Sequence, residues 1–132
     1  MFHISLWAVL LATVLSFAFG ALWYSPLLFL REWGHESGLD ADKMAGKPVK
    51  VFGLSFVFTL VSALVFSLWL GADPGFIEGL FKGFYIGAFF VAASMGINYQ
   101  FENNSIKLWL IDGGYHVVRF TIMGMVLGLW PY

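Results

Sequence analysis

The first thirty residues contain no Asp, Glu, Lys or Arg. A run of that length without charge has almost nothing with which to build a water-facing surface. About 20 apolar residues suffice for a helix to cross the hydrocarbon core of a bilayer. Four segments reach that length, at 3–24, 50–71, 78–99 and 106–130. A backbone in lipid must satisfy its own polar groups, so each is predicted as a helix. The expected fold is an all-α integral membrane protein with one domain over 1–132. It is a four-transmembrane-helix bundle with a short interfacial helix after the first span. Charged residues make up 11% of the chain, where soluble proteins carry about 25%, so a soluble globular surface could not be covered.

Several function classes drop out at once. Without cysteine, disulfides, Cys-ligated zinc and thiol chemistry are excluded. No basic tract points to nucleic acid. Ala18-Phe-Gly20 resembles a signal-peptide cleavage site, yet no Lys or Arg precedes the apolar run, and the run is too long. It reads as a retained first helix.

Boundaries follow from the breakers. Pro26 disfavours helix at Ser25 and ends the first span at Trp23-Tyr-Ser-Pro26. From Leu27 to Ser37, apolar residues alternate with Arg31, Glu32, His35 and Glu36, as on an interfacial helix with a solvated face. Residues 38–49 form the hydrophilic loop, where Asp40 is a plausible cap, and Pro48 suits the first position of the second span. Gly71-Ala-Asp-Pro-Gly75 is a turn, and Ser105 caps the fourth helix. Trp7, Trp23, Trp69, Trp109 and Trp130 lie near predicted ends, as an aromatic belt requires. Arg31, Lys43, Lys47, Lys50 and Lys107 fall in the first and third loops, against Lys82 on the other side. Those loops are therefore expected in the cytoplasm and both termini outside.

Small residues recur every fourth position: Ala8, Ala12, Ser16, Gly20 in the first span and Ser55, Thr59, Ala63, Ser67, Gly71 in the second. The third carries two rows, Gly75, Gly79, Gly83, Gly87 and Ala88, Ala92, Gly96. The fourth has Gly124 and Gly128. Such rows let helix backbones approach closely. They imply either a tightly packed monomer or a homodimer through the third helix.

The candidate site is on the fourth helix. Asp112, Tyr115, His116 and Arg119 fall at spacings of three and four, on one stripe. A charge near the bilayer centre costs roughly 2.5–3.5 kcal/mol, so such groups face the interior and mark sites. In the second span Ser55, Thr59 and Ser62 repeat the four-then-three spacing at the same depth. Their hydroxyls could donate to Asp and accept from Arg across the interior. Alternatively, they pack closely or bond their own helix. Asn98, Tyr24 and Trp23 are secondary candidates.

Three readings of the stripe compete. The first is binding or translocation of a small ion or polar solute. The second is a buried network that only fixes helix packing in a non-catalytic structural or partner subunit. The third, an enzyme site, ranks last, because no nucleophile or metal motif is present. Catalytic residues, metal and cofactor are expected to be none, and the expected surroundings are the lipid bilayer.

Ala21-Leu-Trp-Tyr-Ser-Pro-Leu-Leu-Phe29, Asn98-Tyr-Gln-Phe101 and Lys107-Leu-Trp-Leu-Ile-Asp-Gly-Gly-Tyr-His116 together resemble a bacterial membrane family, domain of unknown function 1761. The resemblance covers nearly the whole chain and implies a four-helix protein of the inner membrane. It brings no activity with it.

Overall fold

The computed structural model describes residues 4–38 and 48–132, and all regular structure among them is helical. Helix α1 covers Leu6–Trp23, α2 Leu30–Ser37 and α3 Pro48–Leu70. Next comes one long helix built of α4, Phe76–Tyr85, a π-helical stretch, Ile86–Ala92, and α5, Ala93–Phe101. Helix α6, Ile106–Leu129, ends the fold. Asp40, Lys43, Lys47 and His3 lie outside the described residues.

Local chemistry sets the helix ends. The Ser5 hydroxyl accepts from the Ala8 amide at 3.2 Å and Ser105 from the Leu108 amide at 3.1 Å, capping α1 and α6. Helix α1 stops at Trp23, three residues before Pro26. Pro48 is the first residue of α3, a position that needs no amide donor. Gly71 and Gly75 take φ of 79° and 88°, so the turn between them requires residues without a Cβ.

Three helices, Leu6–Trp23, Val49–Leu70 and Phe76–Phe101, are long and apolar enough to cross a membrane. The third is longer than the predicted 78–99 at both ends. Helix α6 has the length, with 24 residues, but Lys107, Asp112, His116 and Arg119 lower its hydropathy. This least apolar of the four long helices is nevertheless the central one. Helices α1 and α2 and the long α4–α5 helix all pack on it, whereas α3 packs chiefly on α1. The apolar helices carry the exposed large side chains, among them Leu10, Val14, Val57, Phe58, Phe81 and Phe90. That inside-out distribution fits lipid as the solvent.

The small-residue rows are used within the chain. Ala8, Ala12 and Ser16 are fully buried, beside Met123 and Leu127 in the same core. A Cβ placed on Gly79 would collide with the Gly124 carbonyl, and one on Gly83 would lie 2.9 Å from the Phe120 carbonyl carbon. One on Gly87 would lie 2.6 Å from the Val117 Cα. The second row does the same: Ala92 meets Gly113, and Gly96 meets the Trp109 indole. Gly79, Gly83, Gly87, Ala92 and Gly96 of the long helix therefore face α6, as the tightly packed monomer of the two alternatives requires. Lipid gives helices no hydrophobic reason to associate, so backbone-to-backbone packing takes that role here.

Helix α2 also departs from expectation. Arg31 and His35 are exposed, but Glu32 and Glu36 are half-buried, and Ser105 donates to Glu36 at 2.5 Å. Trp33 meets the Tyr24 ring edge-on at 6.1 Å. Arg31 and His35 face solvent, Glu36 bonds the start of α6 and Glu32 keeps a buried oxygen without a hydrogen-bond partner, so the four do not share one solvated face.

Candidate functional site

A cavity of about 800 Å³ lies beside the polar stripe of α6. Phe17 and Gly20 of α1, Phe52, Ser55, Phe58 and Thr59 of α3, and Met95 and Tyr99 of α5 form its walls. Leu30 and Trp33 line one end, and Asp112, Tyr115, His116 and Arg119 run along one side. Helix α3 and the long helix flank the cavity with their backbones apart, which leaves a slot on the cavity side, and they meet near the other end of α3, where the Lys82 ammonium lies 4.8 Å from the Trp69 ring centroid.

The two charges of the stripe are held differently. Asp112, 9% exposed, receives the Tyr24 hydroxyl on Oδ1 at 2.6 Å and the Tyr99 hydroxyl on Oδ2. Each carboxylate oxygen thus has its own phenol donor, and the two tyrosines come from the ends of α1 and α5. The carboxylate ties three helices together.

Arg119, 8% exposed, has no such arrangement. Its Nε donates to His116 Nδ1 at 2.9 Å. A nitrogen accepting that bond presents a lone pair, so the imidazole keeps its proton on Nε2 and is neutral. The guanidinium lies 4.2 Å from the Phe120 ring centroid, a cation–π contact, but its Nη1 is buried without a hydrogen-bond partner. Asp112 is seven positions away, about 10 Å along the helix at about 1.5 Å per residue, and is already bonded. Among the described residues the ion pair is Lys82–Glu78 at 2.7 Å, and Arg119 has no carboxylate partner.

The other expected residues sort clearly. Ser55 and Thr59 line the cavity with the stripe, but Ser62 does not and borders a separate hollow with Val65, Phe66 and Trp69. The Thr59 hydroxyl donates to the Ser55 carbonyl at 2.7 Å and the Ser62 hydroxyl to the Phe58 carbonyl at 3.0 Å. Those hydroxyls serve their own helix and not the ionisable groups. Asp112 does not meet His116, whereas His116 and Arg119 do meet. Tyr115 stacks on Phe19 and fills the space opposite Gly20. Trp23 donates to the Ile111 carbonyl at 2.9 Å and lies against Gly114. Asn98 is exposed and lines no part of the cavity.

Sequence reasoning missed Tyr99 as a partner of Asp112. A signal existed, because the short turn at 102–105 makes α5 antiparallel to α6 and brings the end of one level with the start of the other. It also missed the inward turn of Trp109, whose indole donates to the Ala92 carbonyl at 2.8 Å. Ala92 ends the π-helical stretch, where the wider turn changes which carbonyls the helix itself can satisfy. Among the described residues no three His, Asp or Glu converge as metal ligands would.

The chain belongs to the family described as "Protein of unknown function (DUF1761)", whose model matches residues 7–128. No curated protein and no solved structure matches it.

Proposed function

We propose that this member of the family is a four-span inner-membrane protein whose cavity binds a small solute bearing an anionic group, read by Arg119. The observation that carries this is Arg119, nine-tenths buried and lining the cavity, whose guanidinium makes a single hydrogen bond, from Nε to His116, while Nη1 is enclosed by the protein without a partner. A buried charge is costly unless paired and hydrogen-bonded, and a guanidinium has five donors to satisfy. An anion in the cavity would supply what the chain does not. Helix α6 counts as the fourth span because its mid-helix charges, Asp112 and Arg119, are buried within the bundle. The Lys/Arg distribution supports cytoplasmic first and third loops, with both termini on the other side.

Asp112 points away from a cation or proton path, since both its oxygens are engaged by tyrosines. For that half of the stripe the structural reading is favoured: Asp112, Tyr24 and Tyr99 lock helix positions. Binding needs no movement of this lock. Translocation would require opening the end that Leu30 and Trp33 line.

The test is thermal melting of the purified protein in neutral detergent, followed by tryptophan fluorescence. Carboxylates from acetate to oleate are compared with primary amines of the same chain lengths. At least one carboxylate should raise the melting temperature of the wild type, the matched amine should not, and Arg119→Gln should respond to neither. Equal stabilisation by amines, or carboxylate stabilisation that survives Arg119→Gln, would contradict the assignment.

A further inference from the structure

We infer that the solute is a single-chain anionic amphiphile, a carboxylate or phosphate head at Arg119 with its hydrocarbon chain along Phe17, Phe52, Phe58 and Met95. This rests on the anion-binding reading above and names its substrate class. Three observations support it. The first is the contrast inside the cavity: a guanidinium with a single hydrogen bond lies on a polar side that faces aromatic and aliphatic walls. A small inorganic anion would use the guanidinium and make no use of those walls. The volume, about 800 Å³, suits a larger ligand, since small-molecule sites run at about 300–1,000 Å³.

The second observation is the slot. Helix α3 and the long helix stand apart, and of the α3 residues lining the cavity Phe58 is 69% exposed, while Phe52, 55% exposed, packs edge-on against Phe17 of α1. In a bilayer that slot faces acyl chains, so the cavity is open to lipid along its side. The third is the other approach. An anion arriving past the α2 end would meet Leu30, Trp33 and then the Asp112 carboxylate, an apolar cover followed by a like charge. Access from the side avoids both. Head recognition at Arg119 and tail solvation by lipid in the slot can therefore occur together.

The experiment measures binding to the full chain in lipid nanodiscs, with inorganic phosphate, the saturated carboxylates from acetate to octanoate, oleate, and uncharged monoolein as probes. Affinity for the water-borne acids should rise with length, by up to about fourfold for each methylene buried. Oleate should bind about ten- to a hundredfold more tightly than monoolein, the worth of a hydrogen bond to a charged group. Arg119→Gln should lose that preference, and Arg119→Lys, which keeps the charge, should retain part of it. Ser55→Trp, which puts bulk into the cavity from its α3 wall, should weaken octanoate and oleate by a larger factor than acetate. If acetate or phosphate binds as tightly as octanoate and depends on Arg119, the amphiphile is wrong and anion binding stands. If Ser55→Trp leaves octanoate and oleate binding unaltered, the chain does not lie in the cavity and the inference falls. If Arg119→Gln binds every probe as the wild type does, both readings fall.

Discussion

Two glycine-to-alanine substitutions of identical chemistry should act in opposite directions. Gly83 lies where the long helix crosses α6. An added Cβ there would collide with the Phe120 carbonyl oxygen, lie 2.9 Å from its carbon and 3.1 Å from the Thr121 Cα. Ordinary carbon contacts begin near 3.4 Å, and the obstacles are backbone atoms of a helix held on its other side by α1. No rotamer change relieves that clash, so the two backbones must separate. Gly79, Gly87, Gly124 and Gly128 share the same contact line, so separation at Gly83 loosens the whole seam. Overpacking of this kind costs about 1–3 kcal/mol. Gly53, in α3, has nothing within 4 Å of the point where a Cβ would stand. Alanine there adds no clash and removes the conformational freedom of glycine, a gain of about 0.5–1 kcal/mol in a helix interior. The pair should thus differ by about 1.5–4 kcal/mol, from those two ranges. The assay is reversible unfolding in dodecyl maltoside with increasing dodecyl sulfate, read by circular dichroism. Gly83→Ala as stable as the wild type would refute the seam, because two helices that close could not accept the methyl group.

Other expectations follow from the same contacts. Tyr24→Phe and Tyr99→Phe should each destabilise by about 1.5–3 kcal/mol, the loss of a hydrogen bond to a charged group. In Asp112→Asn either tyrosine change should cost less, and additivity in the double-mutant cycle would show that the phenols do not act through Asp112. Arg119→Leu should raise the melting temperature of ligand-free protein, because it removes a buried charge lacking a full set of partners. A lower melting temperature would show that the His116 and Phe120 contacts already satisfy it. A single cysteine at Ala45 should be labelled by an impermeant reagent only from the cytoplasmic face, and labelling from outside intact cells would reverse the proposed orientation.

Much of the fold could be read in the chain because bilayer length and helix breakers act locally. Pro26, Pro48, the Gly71–Gly75 turn and the Ser105 cap each act within a turn or two of their own position. The location of the polar stripe was also legible, since charge inside a long apolar segment stands out whatever packs on it. Its partners were not. Asp112 is satisfied from positions 24 and 99, and local spacing suggested His116 and Ser55 instead. The glycine rows state that a backbone comes close without stating whose, so Gly79 and Gly83 fitted a second copy as well as α6. The hydroxyls of Thr59 and Ser62 had a cheaper partner in their own helix, four residues back. No local residue pattern announced the π-helical stretch, which accompanies the Trp109 bond to Ala92.

The most direct test is an experimental structure of the wild-type chain in nanodiscs of its native lipids, at a resolution that shows ordered ligands. The expected result is density within hydrogen-bond reach of the Arg119 guanidinium, continuing past Phe17 and Phe52 toward the slot, with Asp112 still bonded to Tyr24 and Tyr99. Arg119 paired with Asp112 or another carboxylate of the protein, with the cavity closed, would contradict it.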